Sequence, residues 1–216
     1  GELNKGSGQA EAVIKVLKEL MEEHGNVVFG GDGYSAEWHE MAVTERGLKN
    51  IPTTADALPA LREASVKKLF ESTGVLSPVE LESRFEVYAE QYILSIDVEA
   101  KLVVDIAKTR IYPAAIHYLS DLAKTSESLA AMGIELDSST ATVVANEVNA
   151  MMSAVAELID AMGKHDFTSI EEHMHFCANE IRSLMDKVRL HADILETEVA
   201  DELWPLPKYQ EMLFIR

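Results

Sequence analysis

Two glutamates, three histidines and one cysteine are the residues here whose type and spacing could do chemistry. Glu172-x-x-His175 is a carboxylate and an imidazole at i, i+3, the pair that carboxylate-bridged two-metal bundles take from each of two helices, beside two lone glutamates. Only half of that set is present, because none of the other histidines has an acid three residues earlier. The pair therefore reads as a helix start, where acids suit the positive end of the dipole. His165, His173 and His175 straddle a turn, and His173 and His175 point to different sides of a helix, which makes them surface histidines. Glu99 lies on the line of Tyr92, Ile96, Val103 and Ile106, so it is expected to face inward, where a charge needs an ion pair or hydrogen bond. General acid or base work by Glu99 would need a second polar group converging on it, and the sequence names none. Cys177 falls on an apolar stripe with no basic neighbour to lower its pKa, and reads as a buried hydrophobe. Met151, Met152, Met162, Met174 and Met185 read as gap-filling core, with a promiscuous binding face as the alternative.

Gly30-Gly31-Asp32-Gly33 would be a phosphate cradle only with a strand before it, a helix directly after it and usually a lysine. No GKS or GKT follows, so the segment reads as a tight turn whose glycines supply left-handed backbone angles, or as a turn that docks on another subunit or domain. The expectation is thus that the chain carries no catalytic, cofactor-binding or metal-ligating residue of its own.

The elements that would position these residues are helical. Ser77, Pro78 and Glu80 make a capping box with proline in the first turn, and no Gly or Pro follows for 34 residues, enough for a helix of roughly 50 Å. Leu81, Phe85, Tyr88, Tyr92 and Ile96 give its first half one apolar stripe. Beyond Ile96, the set Ala100, Leu102, Val103, Val104, Ile106 and Ala107 leaves only Asp97, Lys101, Asp105 and Lys108 polar, which predicts a second half enclosed by neighbours. Pro113 predicts a kink near Tyr112 rather than a stop, with Ile116, Leu119, Leu122 and Ala123 resuming the stripe to about Gly133. Further helices are predicted over 139–162 and from Ser169 to about Val199, and three long helices with short links make an up-down bundle.

Upstream, a helix over 10–24, a short extended piece at Val27-Val28-Phe29, a helix capped at Ser35 and another from Thr53 through Pro59 to Phe70 are predicted. Trp204-Pro205-Leu206-Pro207 cannot continue a helix, so the tail is expected to fold back and lay Trp204, Leu213 and Phe214 on the body. The predicted fold class is all-α: a long kinked central helix with an up-down bundle, preceded by a small irregular helical region. The predicted divisions are 1–76, 77–203 and 204–216.

Composition narrows the partners. With 47% hydrophobic residues in 216 the chain can bury a full core. A net charge of −18 argues against nucleic acid and anionic membrane as partners. One cysteine and no apolar run of membrane length fit a cytoplasmic protein. GELNKGSG at the start has neither an initiator Met nor a core pattern, so the chain is expected to begin at a cut in a longer protein.

Several separate segments carry a family resemblance. VVFGGDGYSAEWHEMAVTERGLKNIPTTADALPAL, LFESTGVLSPVELESRFEVYAEQY, IYPAAIHYL and LWPLPKYQEML resemble the C-terminal part of type III glutamine synthetases, over essentially the whole chain. The resemblance implies a cytoplasmic ligase that makes glutamine from glutamate, ammonia and ATP with magnesium or manganese, assembled as a large double-ring homo-oligomer. It also implies that the metal ligands, substrate arginines and ATP loop lie upstream of this chain. No family catalytic residue then maps here, and the chain alone is expected to be inactive. The implied role of the GDGYSAEW turn at 31–38, the RGL-N segment at 46–50 and the helices beyond is structural: bracing the catalytic domain and joining subunits. Trp38 and the segment around Tyr34 are the expected docking point, as large aromatics beside a glycine turn anchor well. The rival expectation is a free-standing acidic helical module that binds a protein partner.

Overall fold

A computed structural model describes residues 8–213, which fall into two units divided between Ile51 and Pro52. Among the described residues there is no strand. In the first unit, α1 (Gln9–His24) ends at Gly25, and α2 (Ala36–Thr44) starts where the Ser35 hydroxyl accepts the Trp38 amide at 3.1 Å. The extended piece expected at Val27 begins one residue later, because Gly25–Val27 closes a 3-10 turn. Gly47 then ends α2 with a φ of 64°, a left-handed angle at which a side chain is strained.

In the second unit, α3 (Thr54–Ala57) is capped by Thr53, whose hydroxyl accepts the Asp56 amide at 3.1 Å. The single helix expected from Thr53 to Phe70 is broken. Pro59 lies in a 3-10 segment, Leu58–Arg62, Glu63 is extended, and α4 (Ala64–Ser72) starts afresh. Ser77 and Glu80 form the capping box of α5 (Pro78–Ile106) reciprocally: the Ser77 amide donates to Glu80 Oε2 at 2.8 Å, and the Glu80 amide donates to Ser77 Oγ at 3.3 Å.

From α5 the helix runs on for 53 residues in all, through a π-helical turn at Ala107–Ile111 into α6 (Tyr112–Ala130). The discontinuity expected near Tyr112 takes this form, directly ahead of the missing amide of Pro113. The turn also sets the phase. Steps of four residues drift by about 40° in a regular α-helix, and the wider turn cancels that drift. Ala107, Ile111 and Ala115 therefore stay on one buried line, which leaves Ile116, expected inside, exposed.

Two further long helices complete the bundle. α7 (Ser139–Met162) buries Val144, Val148, Met151, Ala154, Val155 and Leu158, with Ile159 facing out. The last helix comprises α8 (Ile170–Phe176), a second π-turn at Cys177–Ile181, and α9 (Arg182–Glu198). Its residues Cys177, Ile181, Val188 and Leu195 share one core with Ile96, Ala100 and the α7 row. A smaller cluster of Ala55, Phe85, Ala89 and Met174 seats the 53–62 segment on α5 and α8. The tail folds back as expected at Trp204, with Leu203 and Leu206 against the same core, before α10 (Tyr209–Leu213). Leu213 is exposed rather than packed, and Phe214 lies outside the described residues.

Candidate functional site

Each candidate from the sequence can be placed. Glu172 is a cap: Oε2 accepts the Thr168 amide at 2.7 Å and the Thr168 hydroxyl at 2.6 Å, while the Glu172 amide donates to Ser169 Oγ at 3.1 Å. The two bonds from Thr168 hold its carboxyl below the usual range. His175 turns the other way, its Nδ1 3.7 Å from Asp56 Oδ1. His173 stacks on Phe167 with centroids 4.1 Å apart, and burial, then the nearby His165, push its pKa down. Among the described residues no three of His, Cys, Asp or Glu gather where they could hold a metal ion.

Glu99 does not face inward. The buried seam of α5 steps from Ile96 to Ala100, i+4 rather than i+3, and leaves Glu99 exposed with Tyr88, which was also expected inside. Cys177 is buried as expected, and burial, helped by the Asp97 charge, pushes its thiol up to about 11. Met151 and Met174 are fully buried and Met152, Met162 and Met185 partly so, which makes them core.

The GGDG segment is a turn built on Asp32, whose Oδ1 accepts the Tyr34 amide at 2.9 Å. Its glycines are not in the left-handed region, contrary to expectation. Gly31 is needed for space instead: a Cβ there would lie 2.6 Å from Phe29 Cζ. The Phe29 ring stacks on Trp38 at 3.8 Å, so a glycine lets two aromatics close over the turn while Tyr34 stays 95% exposed.

Two outward apolar surfaces were not recognised as such in the sequence. On α1, Val13, Ile14, Leu17, Leu20 and Met21 are exposed. On α5, Val87, Leu94, Val98 and Leu102 are exposed and lie within one narrow band of the helix, so its second half is not enclosed by its own chain. A cleft of about 640 Å³ lies between α5 and the turn joining α7 to α8, with Ile93, Ile96, Ala100, Phe176, Cys177 and Ile181 among its lining. No helix among the described residues is long and apolar enough to cross a membrane.

Comparison with known proteins accounts for the arrangement. Residues 12–130 match the family model of the glutamine synthetase C-terminal domain. The chain is 35% identical over 221 residues to a type-3 glutamine synthetase of Dictyostelium discoideum, covering 98% of this chain and 30% of that protein. It is 30% identical over 223 residues to a glutamine synthetase of Bacteroides fragilis, covering 99% and 30% of the two chains. A glutamine synthetase of Butyrivibrio fibrisolvens is 27% identical over 217 residues, with 97% and 30% covered. The chain thus spans 30% of the length of these relatives. With a helical body, a glycine turn closed by Phe29 and Trp38 and a family match over more than half its residues, this chain belongs to the glutamine synthetase C-terminal domain family.

Proposed function

We propose that this chain is the helical brace of a type III glutamine synthetase, joining subunits of a cytoplasmic homo-oligomer and supporting a catalytic region that it does not contain. The intact enzyme would form glutamine from glutamate, ammonia and ATP. In this reading the metal ligands and the groups that hold ATP belong to the catalytic region. The observation that carries the reading is the outward ridge Val87, Leu94, Val98 and Leu102 on a helix whose opposite seam, Leu81, Phe85, Ala89, Ile96 and Ala100, packs against its own chain. Apolar rows of this kind on a folded domain mark surfaces that another protein covers. Tyr34, four residues before Trp38 and 95% exposed, offers a large aromatic of the sort that dominates interface energetics.

The experiment is a paired substitution, Val98→Glu with Leu102→Glu, in the full-length enzyme. Both positions are exposed and helical, so the fold should persist while the assembly seen by light scattering shifts to smaller particles and glutamine formation falls. Unchanged assembly and activity would remove the ridge from the subunit contact and overturn the brace reading. Glutamine formation by this chain alone would overturn the assignment of the chemistry to the remainder of the enzyme.

A further inference from the structure

The cleft beside α5 has the make-up of a small-molecule site, and its own charges select the ligand. Its volume, about 640 Å³, falls in the range of ligand pockets. The floor is apolar, from Ile93, Ile96, Ala100, Ile181 and Phe176, and Ala100 and Ala161 leave room that larger side chains would fill. The charged groups divide between two walls. On α5 stand Glu90, Asp97 and Lys101, of which Asp97 and Lys101 are paired with each other at 2.6 Å. On the other wall stand Lys164, His165 and His173, with Phe167 and Phe176 beside them.

Lys164 decides the sign. Its Nζ lies 4.8 Å from the centroid of Phe176 and 5.8 Å from that of Phe167, so the ring faces that would attract a cationic ligand already hold a cation. A second cation arriving there would be repelled, and an anion would meet an ammonium next to an imidazole. We propose that this cleft binds a small amphipathic carboxylate, its alkyl or aryl body on the Ile93, Ile96 and Phe176 floor and its anion on Lys164 and His165. The inference does not rest on the glutamine synthetase reading, because the site lies wholly within the second unit and binding is read without turnover.

The test is calorimetric titration of the full chain with octanoate, with octylamine and octanol as controls. Octanoate is expected to saturate one site, octylamine not to bind, and octanol to bind more weakly. Lys164→Met, at an exposed position where the loss of two ring contacts should lower the thermal midpoint only slightly and leave the chain folded, is expected to weaken octanoate about tenfold or more, as for loss of a charge-assisted hydrogen bond. Isoleucine methyl NMR places the ligand: shifts should concentrate at Ile93, Ile96, Ile170 and Ile181, which line the cleft. Absent binding, equal affinity for octanoate and octylamine, indifference to Lys164→Met, or shifts spread over Ile116 and Ile159 would each overturn the proposal.

Discussion

Arg62 should be worth more than an ordinary surface arginine, and the structure says by how much. It closes the 3-10 segment that seats residues 53–62 on the bundle. Its Nη2 meets Glu82 Oε1 at 2.8 Å, Nη1 pairs with Glu171, and the guanidinium carbon lies 4.7 Å from the centroid of the buried Phe85 ring. One planar group thus joins α5 and α8. Partly exposed ion pairs contribute about 0.2–1 kcal/mol each, and a cation over an aromatic face about 0.5–1 kcal/mol. The sum of two pairs and one ring contact predicts a loss of about 1–3 kcal/mol for Arg62→Met, which keeps the apolar stem. Arg62→Lys should recover less than half of it, because an ammonium cannot reach two carboxylates and a ring face as a fork does. Urea melts followed by circular dichroism measure both. Glu82 adds a pH signature: the hydrogen bond from Lys67 at 3.0 Å, then the Arg62 charge, hold its carboxyl below the ordinary 4.5. A depressed carboxylate stabilises the fold fully above its unfolded pKa, so the Arg62 effect should persist at neutral pH and fade as pH falls below about 4.5. An Arg62→Lys variant as stable as the parent would refute the fork reasoning.

Three other changes follow from single contacts. Gly31→Ala puts a Cβ where Phe29 Cζ now lies, so the ring must leave Trp38; because that ring edge can swing, the cost should stay under about 1.5 kcal/mol, while Trp38 emission, read in a Trp204→Phe background, changes. Unaltered emission would show that the stack does not exist. Met151→Ala, at a fully buried position in the α7 row, should cost about 2–5 kcal/mol in a denaturant melt. Cys177, with its thiol raised from 9.0 to about 11, favours the fold fully below pH 9 and loses that contribution as pH rises toward 11. Alkylation should accordingly be slow at pH 8 in the native chain and fast in urea, and fast native labelling would contradict the burial.

The legible parts of the chain were the local ones. The capping box at Ser77 and Glu80, the Ser35 cap and the fold-back at Trp204 each depend on a few adjacent residues, so their types suffice. Misreadings came where two rules competed at one position. Pro59 was read as tolerable near a helix start, yet the chain breaks after it into a 3-10 segment and an extended Glu63. Glu99 and Ala100 are neighbours, and a periodicity built on large side chains chose the i+3 line through Tyr92 and Val103. The structure chose the i+4 line, because small Ala89, Ala100 and Ala107 let helices approach. Alanine carries little weight in a hydrophobic stripe and much in close packing.

The outward ridge on α5 was misread for a deeper reason. Val98 and Leu102 are apolar at helical spacing, and the residues around them predicted neighbours on every side. Periodicity reports how many faces of a helix are to be covered, but an intrachain core and an intermolecular one impose the same pattern on the sequence. Only the coordinates divide that set, giving Ala100 and Ala107 to the chain's own core and Val98 and Leu102 to the outside. The expectation of an enclosed second half is then wrong about this chain in isolation, and the proposed assembly is where it would be met. If subunit contact covers the ridge, Val98 and Leu102 should gain protection from solvent labelling on assembly while Glu99 and Lys101, at the edges of the band, change less. Equal labelling of Leu102 in assembled and dissociated enzyme would mean that the helix keeps an apolar face for some other partner.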